Sequence, residues 1–413
     1  MRERVILVGV QLNQDDAHFD QSMEELKALT ETASGEVVSV LTQNRDRIHG
    51  GTFIGKGKLE ELRLLEEELE PDVIIFNREL SPSQNRNLSK VLSARVIDRT
   101  QLILDIFAGR ARSREGKMQV QLAQLEYMLP RLGGQGIELS RLGGGIGTRG
   151  PGETKLETDR RHIRNEIAEV KRQLKQVVKH RAQYRERRRK NRVFQIALVG
   201  YTNAGKSTLF NRLSSADSFE EDQLFATLDP MTRKLTLPSL HSILMTDTVG
   251  FIQDLPTALI ASFRSTLEEV NEADLLLHIV DSSHPNYVQH EKTVQRLFSE
   301  LKMDQIPQLT VYNKKDLVTE DFVPSPNQES ILLSALNEED LFSLRKKIEQ
   351  HMIEQMVPYG VVVSSLEGDL IAKLKRDTIV TALEFDANKD VYQIEGHVID
   401  KHPILGQIKL VRQ

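Results

Sequence analysis

Short apolar runs alternate with amphipathic segments over the first hundred residues of the chain. The apolar runs predict strands at residues 5–10, 36–41, 72–76 and 95–97. The segments with helical periodicity lie at residues 20–30, 58–70, 82–92 and 99–107. Strands that alternate with helices in this way are typical of a parallel sheet covered by helices. Residues 1–110 are therefore predicted to form an α/β domain.

A different period runs through residues 111–192. Apolar positions three and four residues apart appear first at Met118, Leu122, Leu125 and Leu129. They appear again at Ile163, Ile167, Val170, Leu174, Val177 and Tyr184, and Arg181 interrupts this second series. Heptad spacing of this kind predicts two helices that pack lengthwise as a coiled-coil hairpin.

The loop between these two helices is rich in glycine. Residues 131–152 contain nine of the 24 glycines, and a loop of this length is usually either functional or disordered. It includes the formal pattern Gly145-Ile-Gly-Thr-Arg-Gly150. This pattern does not predict a dinucleotide site, because no strand precedes it and Pro151 follows it.

The rest of the chain is predicted to form two further domains, a second α/β domain over residues 193–356 and a small α+β domain over residues 357–413. In the last domain, strands are predicted at residues 361–363, 380–385, 391–398 and 407–411, with a helix at 367–376. The predicted fold class is therefore α/β, with a helical hairpin and a small α+β domain added.

The composition narrows the class of protein. Of 413 residues, 39% are hydrophobic and 28% are charged, as in ordinary globular domains. The chain has no cysteine, which excludes disulfides and thiolate metal sites and is typical of a reducing cytoplasm. No apolar run approaches the roughly 18 residues of a membrane helix. We therefore expect a cytoplasmic monomer that does not insert into membranes.

The charge is distributed unevenly. Residues 160–192 contain 14 Lys and Arg and three Glu, which gives this segment a charge of +11. Because the net charge of the whole chain is −5, the remaining residues together carry −16. A basic segment next to a loop of glycines and arginines favours RNA as the partner, and a solvated helix face remains the alternative. The predicted RNA contacts are Arg131, Arg141, Arg149, Lys155, Arg187, Arg188 and Arg189.

A phosphate-binding motif follows the apolar run at residues 194–199. It comprises Gly200, Tyr201, Thr202, Asn203, Ala204, Gly205, Lys206 and Ser207, and Thr208 continues into a predicted helix. Its glycines let backbone N–H groups point at phosphate oxygens, and the helix N-terminus adds positive charge. Lys206 is expected to reach the β- and γ-phosphates, and the Ser207 hydroxyl to bind Mg²⁺.

Three later motifs each follow an apolar run and complete a guanine-nucleotide site. Asp247, Thr248, Val249 and Gly250 form the first, with Asp247 predicted to hold Mg²⁺ and the Gly250 N–H to face the γ-phosphate. Asn313, Lys314 and Asp316 belong to the second, with Asn313 and Asp316 predicted to select guanine. Ser334, Ala335 and Leu336 form the third. GTP and GDP are therefore the predicted substrate and product.

A fourth stretch resembles the first switch of such enzymes and contains Phe225, Ala226 and Thr227. Thr227 is predicted to contact both nucleotide and Mg²⁺, and Lys206, Thr227 and Gly250 are the predicted catalytic residues. Phe251 stands where many GTPases have a glutamine that orients the attacking water. Because its side chain cannot hydrogen-bond to water, intrinsic hydrolysis is expected to be slow until a partner stimulates it.

Over residues 1–355 the chain resembles the HflX family of ribosome-associated GTPases. The resemblance is carried by the phosphate loop and by two further segments, Phe53-Ile-Gly-Lys-Gly57 and Arg149-Gly-Pro-Gly-Glu-Thr-Lys-Leu-Glu157. The resemblance implies docking on the large ribosomal subunit and its rRNA, with the N-terminal domain near the peptidyl-transferase region. It also implies that the protein splits or rescues stalled ribosomes, often under stress.

Two alternatives to this reading stay open. One is an ATP-driven RNA remodeller with a second nucleotide site in the N-terminal domain, which the lack of a second phosphate loop weakens. The other is a nucleotide-controlled binding or assembly factor with negligible turnover, which Phe251 keeps open.

Overall fold

The computed structural model describes residues 2–12, 16–132, 151–191, 193–214, 224–225, 227–228, 230–252, 270–318, 322–326, 328–400 and 402–411. The chain divides into two compact units. The first unit comprises Met1–Ala182, Glu221–Asp229 and Val249–Glu268. The second comprises Gln183–Glu220, Pro230–Thr248 and Glu269–Gln413.

A four-stranded parallel sheet forms the centre of the first unit. Its strands are β1 (Glu3–Leu12), β2 (Gly35–Arg45), β3 (Val73–Phe76) and β4 (Arg95–Asp98), in the order β2-β1-β3-β4. The helices are α1 (Asp16–Thr32), α2 (Lys56–Leu69), α3 (Pro82–Ser89) and α4 (Arg99–Arg110). The alternating α/β pattern predicted from the sequence is confirmed.

Local side chains determine where two of these helices begin. The Ser81 hydroxyl accepts a hydrogen bond from the Gln84 N–H, and the Gln84 side chain accepts one from the Ser81 N–H. This reciprocal capping pair precedes α3. At α4, the Asp98 carboxylate accepts a hydrogen bond from the Gln101 N–H at 2.9 Å. Each cap satisfies backbone donors that the first helical turn leaves unpaired.

Successive residues of the central strands enter two different cores. On β1, Ile6 and Val8 pack into a core with Phe53 of the β2–α2 loop, while Val5 and Leu7 pack into the opposite core. This alternation buries both faces of the sheet, as expected for a parallel sheet.

The second of these cores, which we call the α1–α4 core, also contains residues from much later in the chain. It contains Leu26 of α1 and Phe107 of α4, and it includes four residues from two later segments, 225–228 and 249–252. Those four residues are Phe225, Leu228, Val249 and Ile252. The Phe107 and Phe225 rings meet edge to face, with centroids 4.6 Å apart.

Residues 111–182 of the predicted helical hairpin belong to the first unit. Helix α5 (Arg114–Met128) packs along α6 (Pro151–Asn191) through the buried Met118, Leu122 and Val170. Ile167, Leu174 and Val177 are partly buried against them. Six positions of the predicted seam are thus confirmed to pack together. Residues 133–150 of the predicted glycine-rich loop, and the side chains of Arg181 and Tyr184, lie outside the described part of the chain.

A six-stranded sheet forms the centre of the second unit. Its strands are β5 (Gln195–Gly200), β6 (Met231–Thr236), β7 (Ser242–Asp247), β8 (Leu275–Asp281), β9 (Gln308–Asn313) and β10 (Ser330–Leu332). The order is β10-β9-β8-β5-β7-β6, and only β6 runs antiparallel to its neighbour. The helices of this part are α7 (Lys206–Leu213), α8 (Tyr287–Glu300) and α9 (Glu338–Glu354).

The end of the chain forms a three-stranded antiparallel sheet with two helices. The elements are β11 (Val357–Ser364), α10 (Gly368–Asp377), β12 (Ile379–Asp386), β13 (Val391–Val398) and α11 (Ile404–Val411), with β13 central. The strand predicted at residues 407–411 is wrong, because this segment is helical. Ile404 and Ile408, one turn apart, both enter the core of this part. A short apolar run does not by itself distinguish a strand from a buried helix.

Among the described residues, no helix is both long and apolar enough to cross a membrane.

Candidate nucleotide-binding site

The phosphate loop connects the end of β5 to the start of α7, and its two motif glycines are required by their surroundings. Gly205 has a φ of 87°, in the left-handed region, and a Cβ there would collide with the side-chain amide of Asn313. A Cβ on Gly200 would collide with the backbone carbonyl of Ile279 on β8. Only glycine lets the loop pass this close to its neighbours.

Lys206 lies at the first position of α7 and is buried at 6% exposure. Its Nζ donates hydrogen bonds to the backbone carbonyls of Gly200 at 3.1 Å and Tyr201 at 2.7 Å. Burial lowers the pKa of Lys206 to about 8, and the nearby Asp247 carboxylate opposes that shift. The ammonium group is thus held inside the loop that it is predicted to serve.

The predicted metal ligands of the second unit meet at the ends of two elements. Ser207 Oγ donates a hydrogen bond to Asp247 Oδ2 at 3.0 Å, and Asp247 ends β7 at 1% exposure. The next residue, Thr248, anchors the strand end by donating to the Leu198 carbonyl at 2.7 Å. A hydroxyl beside a carboxylate forms a donor set of hard oxygens, which fits Mg²⁺.

Asn313 connects three loops of the site. Its Nδ2 donates to the Ala204 carbonyl at 3.0 Å, and its Oδ1 accepts from the Ala335 N–H at 3.0 Å. The carboxamide therefore joins the phosphate loop to the loop after β10. The side chain thus positions both loops, and its role in selecting guanine stays a prediction.

Asp316 lies at the surface, beyond the end of β9, and its Oδ1 accepts a hydrogen bond from Ser334 Oγ at 2.5 Å. Ser334 is itself held through its N–H by Asp340 at 2.8 Å. Lys314 has a left-handed φ of 64° and pairs with Asp281 at 2.7 Å. Leu336 is 61% exposed. The exposed Asp316 carboxylate is thus fixed by Ser334 at the end of the sheet where the phosphate loop also lies.

The remaining phosphate-loop residues occupy the expected turn. Thr202 and Ala204 are buried, Asn203 is exposed with a φ of 61°, and Thr208 lies on α7.

Several predicted nucleotide-binding residues, from segments 225–227 and 249–250, belong to the first unit. Phe225 and Val249 are buried in the α1–α4 core, at 2% and 7% exposure. Their side chains are therefore core residues, and a nucleotide contact stays a prediction for their backbone alone. Thr227 and Gly250 also lie in this unit, and their catalytic roles stay predictions. Ala226 is outside the described residues.

Arg131, a predicted RNA contact, binds within the first unit instead. Its guanidinium lies 3.4 Å from the centroid of the Tyr127 ring and donates to the Leu80 carbonyl at 2.7 Å. It also pairs with the buried Asp98 at 3.3 Å. With 13% of its side chain exposed, Arg131 has a structural role, which leaves little of it accessible for the predicted RNA contact.

The other predicted RNA contacts lie outside the described side chains. Arg141 and Arg149 fall in the undescribed loop, and Lys155, Arg187, Arg188 and Arg189 lie on α6 at positions where only the backbone is described. Within the basic segment predicted from the sequence, the structure also shows a basic face of α6 whose residues were not among the predicted contacts. Its exposed members are Arg161, Arg164, Arg172, Lys175 and Lys179. The sequence indicates this face through the helical spacing of these five residues, which places them on the side of α6 away from the apolar seam.

The fold and site together define a phosphate-loop nucleotide-binding protein of the GTPase class. Residues 20–108 match a family model described as GTP-binding GTPase N-terminal, and residues 110–188 match one described as GTP-binding GTPase Middle Region. Residues 195–314 match one described as 50S ribosome-binding GTPase.

Similar individual proteins identify the family more specifically than these models do. A protein from Alkalihalophilus pseudofirmus named GTPase HflX is 59% identical over 407 residues, which cover 98% of this chain and 96% of that protein. The Escherichia coli GTPase HflX is 45% identical, with 78% of this chain and 75% of that protein covered. The chain belongs to the HflX GTPase family and is a GTP-hydrolysing enzyme.

A solved structure is also similar, a GTP-binding protein from Sulfolobus solfataricus in complex with GDP. The matched region covers 86% of this chain and 99% of the chain of that structure, with 24% sequence identity and a TM-score of 0.45.

Proposed function

We propose that this GTPase acts in the cytoplasm on the large ribosomal subunit, where it splits or rescues stalled ribosomes under stress. The observation that carries the proposal is the match of residues 195–314 to the family described as 50S ribosome-binding GTPase. The exposed basic face of α6 supports it, because ribosomal RNA offers the phosphates that such a face binds.

The nucleotide occupies the loops around Lys206 and Asn313. Asp316 accepts hydrogen bonds from guanine, and Lys314 and Leu336 flank the base. Lys206, whose ammonium group faces the carbonyls of its own loop, contacts the β- and γ-phosphates. Discrimination against adenine follows because adenine has no paired donors for the Asp316 carboxylate.

Mg²⁺ would be held by Ser207 and Asp247 of the second unit, and the role of Thr227 as a ligand stays a prediction from the sequence. When bound, the ion neutralises charge that develops on the phosphate oxygens. Thr248 helps to position the Asp247 carboxylate, because its hydrogen bond to the Leu198 carbonyl fixes the end of β7.

Slow intrinsic hydrolysis follows from Phe251, which is 3% exposed and has no group that orients water. The ribosome is proposed to complete the site, so turnover rises on docking. An activating partner supplies such a missing element in other GTPases, with rate gains of about 10³ to 10⁵.

The docking surface is tested with a charge-removal variant. Arg161, Arg164, Lys175 and Lys179 are replaced together by glutamine, and the control replaces the exposed Lys234, Lys373, Lys375 and Lys389. Sedimentation with purified large subunits should show weaker binding for the α6 variant at moderate salt, and the control should bind like the unmodified protein. Equal binding of both variants would contradict an RNA-binding role for α6.

A further inference from the structure

Tyr201, the second residue of the phosphate loop, is stacked on a histidine from another element. Its ring lies parallel to the imidazole of His290, with centroids 3.8 Å apart and an angle of 7°. Tyr201 is 6% exposed and His290, on α8, is 9% exposed. A large planar contact inside the protein therefore fixes a phosphate-loop residue that the motif itself leaves variable.

The backbone of Tyr201 holds the lysine of the loop. Its carbonyl accepts the shorter of the two hydrogen bonds from Lys206 Nζ, at 2.7 Å. Any rotation of the Tyr201 peptide would move this acceptor and with it the ammonium group. The ring contact with His290 thus restrains the direction in which Lys206 points.

The same contacts continue toward the base-binding loop. His290 packs against His284 with centroids 4.4 Å apart, and His284 follows the end of β8. At that end, Asp281 pairs with Lys314 at 2.7 Å. Asp281 is also bound by the backbone and hydroxyl of Ser283, at 3.0 and 2.6 Å. Two histidines therefore lie between the phosphate loop and the guanine motif.

The surroundings of His290 favour its neutral form as the stacking partner of Tyr201. Burial, and then the neighbouring His284, lower the pKa of His290 to about 4, while Asp281 opposes the shift. His290 is consequently uncharged at neutral pH and adds no positive charge beside Lys206.

We propose that His290 is a positioning residue for GTP hydrolysis, because it holds Tyr201 and thereby the carbonyl that orients Lys206. This role depends on the GTPase activity and is independent of ribosome docking. It predicts that a flat ring at position 290 is needed for turnover, whatever its polarity.

The test uses full-length protein and intrinsic GTP turnover without ribosomes. His290→Leu removes the flat ring at similar volume, and His290→Phe restores it. The stacking of two aromatic rings contributes only a modest interaction energy, so the loss of the ring in His290→Leu should lower kcat about fivefold. The dissociation constant for GDP should change by about twofold or less, since the lysine serves the transition state most. His290→Phe should recover most of kcat.

A matched control separates positioning from general packing. Val294→Ala truncates a fully buried residue one turn further along α8, outside the stack, and should leave kcat unchanged. Tyr201→Leu should lower kcat by a similar factor, and adding His290→Leu to it should cost little more. Equal kcat for His290→Leu and the unmodified protein, failure of His290→Phe to recover kcat, or additive losses in the double variant would each overturn the proposal.

Discussion

Phe225 of the predicted first switch packs edge to face against Phe107 of α4, with ring centroids 4.6 Å apart and planes at 86°. Phe225 has a left-handed φ of 56° and only 2% exposure. A residue from a segment expected to respond to nucleotide is therefore a core residue of the first unit. Its packing ties this segment to the N-terminal sheet domain.

Replacing Phe225 by alanine should destabilise the protein strongly. Truncating a buried phenylalanine leaves a cavity and typically costs about 3 to 5 kcal/mol. Urea unfolding should show this loss, and Phe385→Ala, which truncates a half-exposed ring on β12, should cost about 1 kcal/mol or less. Equal losses for the two variants would show that Phe225 is not part of the core.

Asn313→Ala should weaken nucleotide binding because it disconnects the phosphate loop from the loop after β10. The change removes both hydrogen bonds that connect the Ala204 and Ala335 loops. Two lost buried hydrogen bonds correspond to a fall in GDP affinity of about 100-fold. A titration with a fluorescent GDP analogue measures it, with Asn388→Ala on the β12–β13 turn as control. An affinity within twofold of the unmodified protein would contradict the bridging role.

Arg131→Ala should reduce stability and leave RNA binding largely intact. The change leaves the Asp98 carboxylate, at 1% exposure, without its charged partner, a loss of about 2 to 4 kcal/mol. Burial already raises the pKa of Asp98, so the remaining carboxylate is poorly solvated. Thermal unfolding and large-subunit binding should be measured together. Weak ribosome binding at unchanged stability would restore Arg131 as an RNA contact.

His278 should make the protein sensitive to mild acid. Burial, and then the charge of Lys206, lower the pKa of His278 to about 3, and neither ring nitrogen has a hydrogen-bond partner among the described residues. The folded state thus binds this proton less readily than the unfolded state, whose histidine has an ordinary pKa. The stability that neutral His278 allows is present above about pH 6.5 and is lost as the pH falls toward 3.

The His278→Leu variant tests this dependence. Between pH 7 and pH 5 it should lose about 2 kcal/mol less stability than the unmodified protein, measured by urea unfolding at both values. His162→Leu, at an exposed position of α6, should follow the unmodified protein. Parallel losses in all three proteins would mean that His278 is protonated in the folded state.

The sequence predicted features set by local chemistry. The phosphate loop, the strand ends at Asp247 and Asn313, and the apolar seam through Val170 all follow from spacing along a few residues. Contacts between distant segments could not be predicted, because nothing near Phe225 indicates that Phe107 will be its partner. The same holds for Tyr201 and His290. The helix at Ile404–Val411 was mistaken for a strand because a short apolar run suits either form.

Asn313 shows a different limit. Its motif correctly indicated a guanine-nucleotide site, but the role of the side chain depends on which groups lie within hydrogen-bond reach. Only the folded arrangement places Ala204 on one side of the amide and Ala335 on the other.

The most direct test of the proposed function is GTP turnover with and without purified large ribosomal subunits, at low and moderate salt. We predict strong stimulation that fades with salt, because an RNA-binding basic surface is screened by ions. The variant lacking the four charges of α6 should need more subunits for half-maximal stimulation. Turnover that large subunits leave unchanged at either salt concentration would contradict a ribosome-activated GTPase.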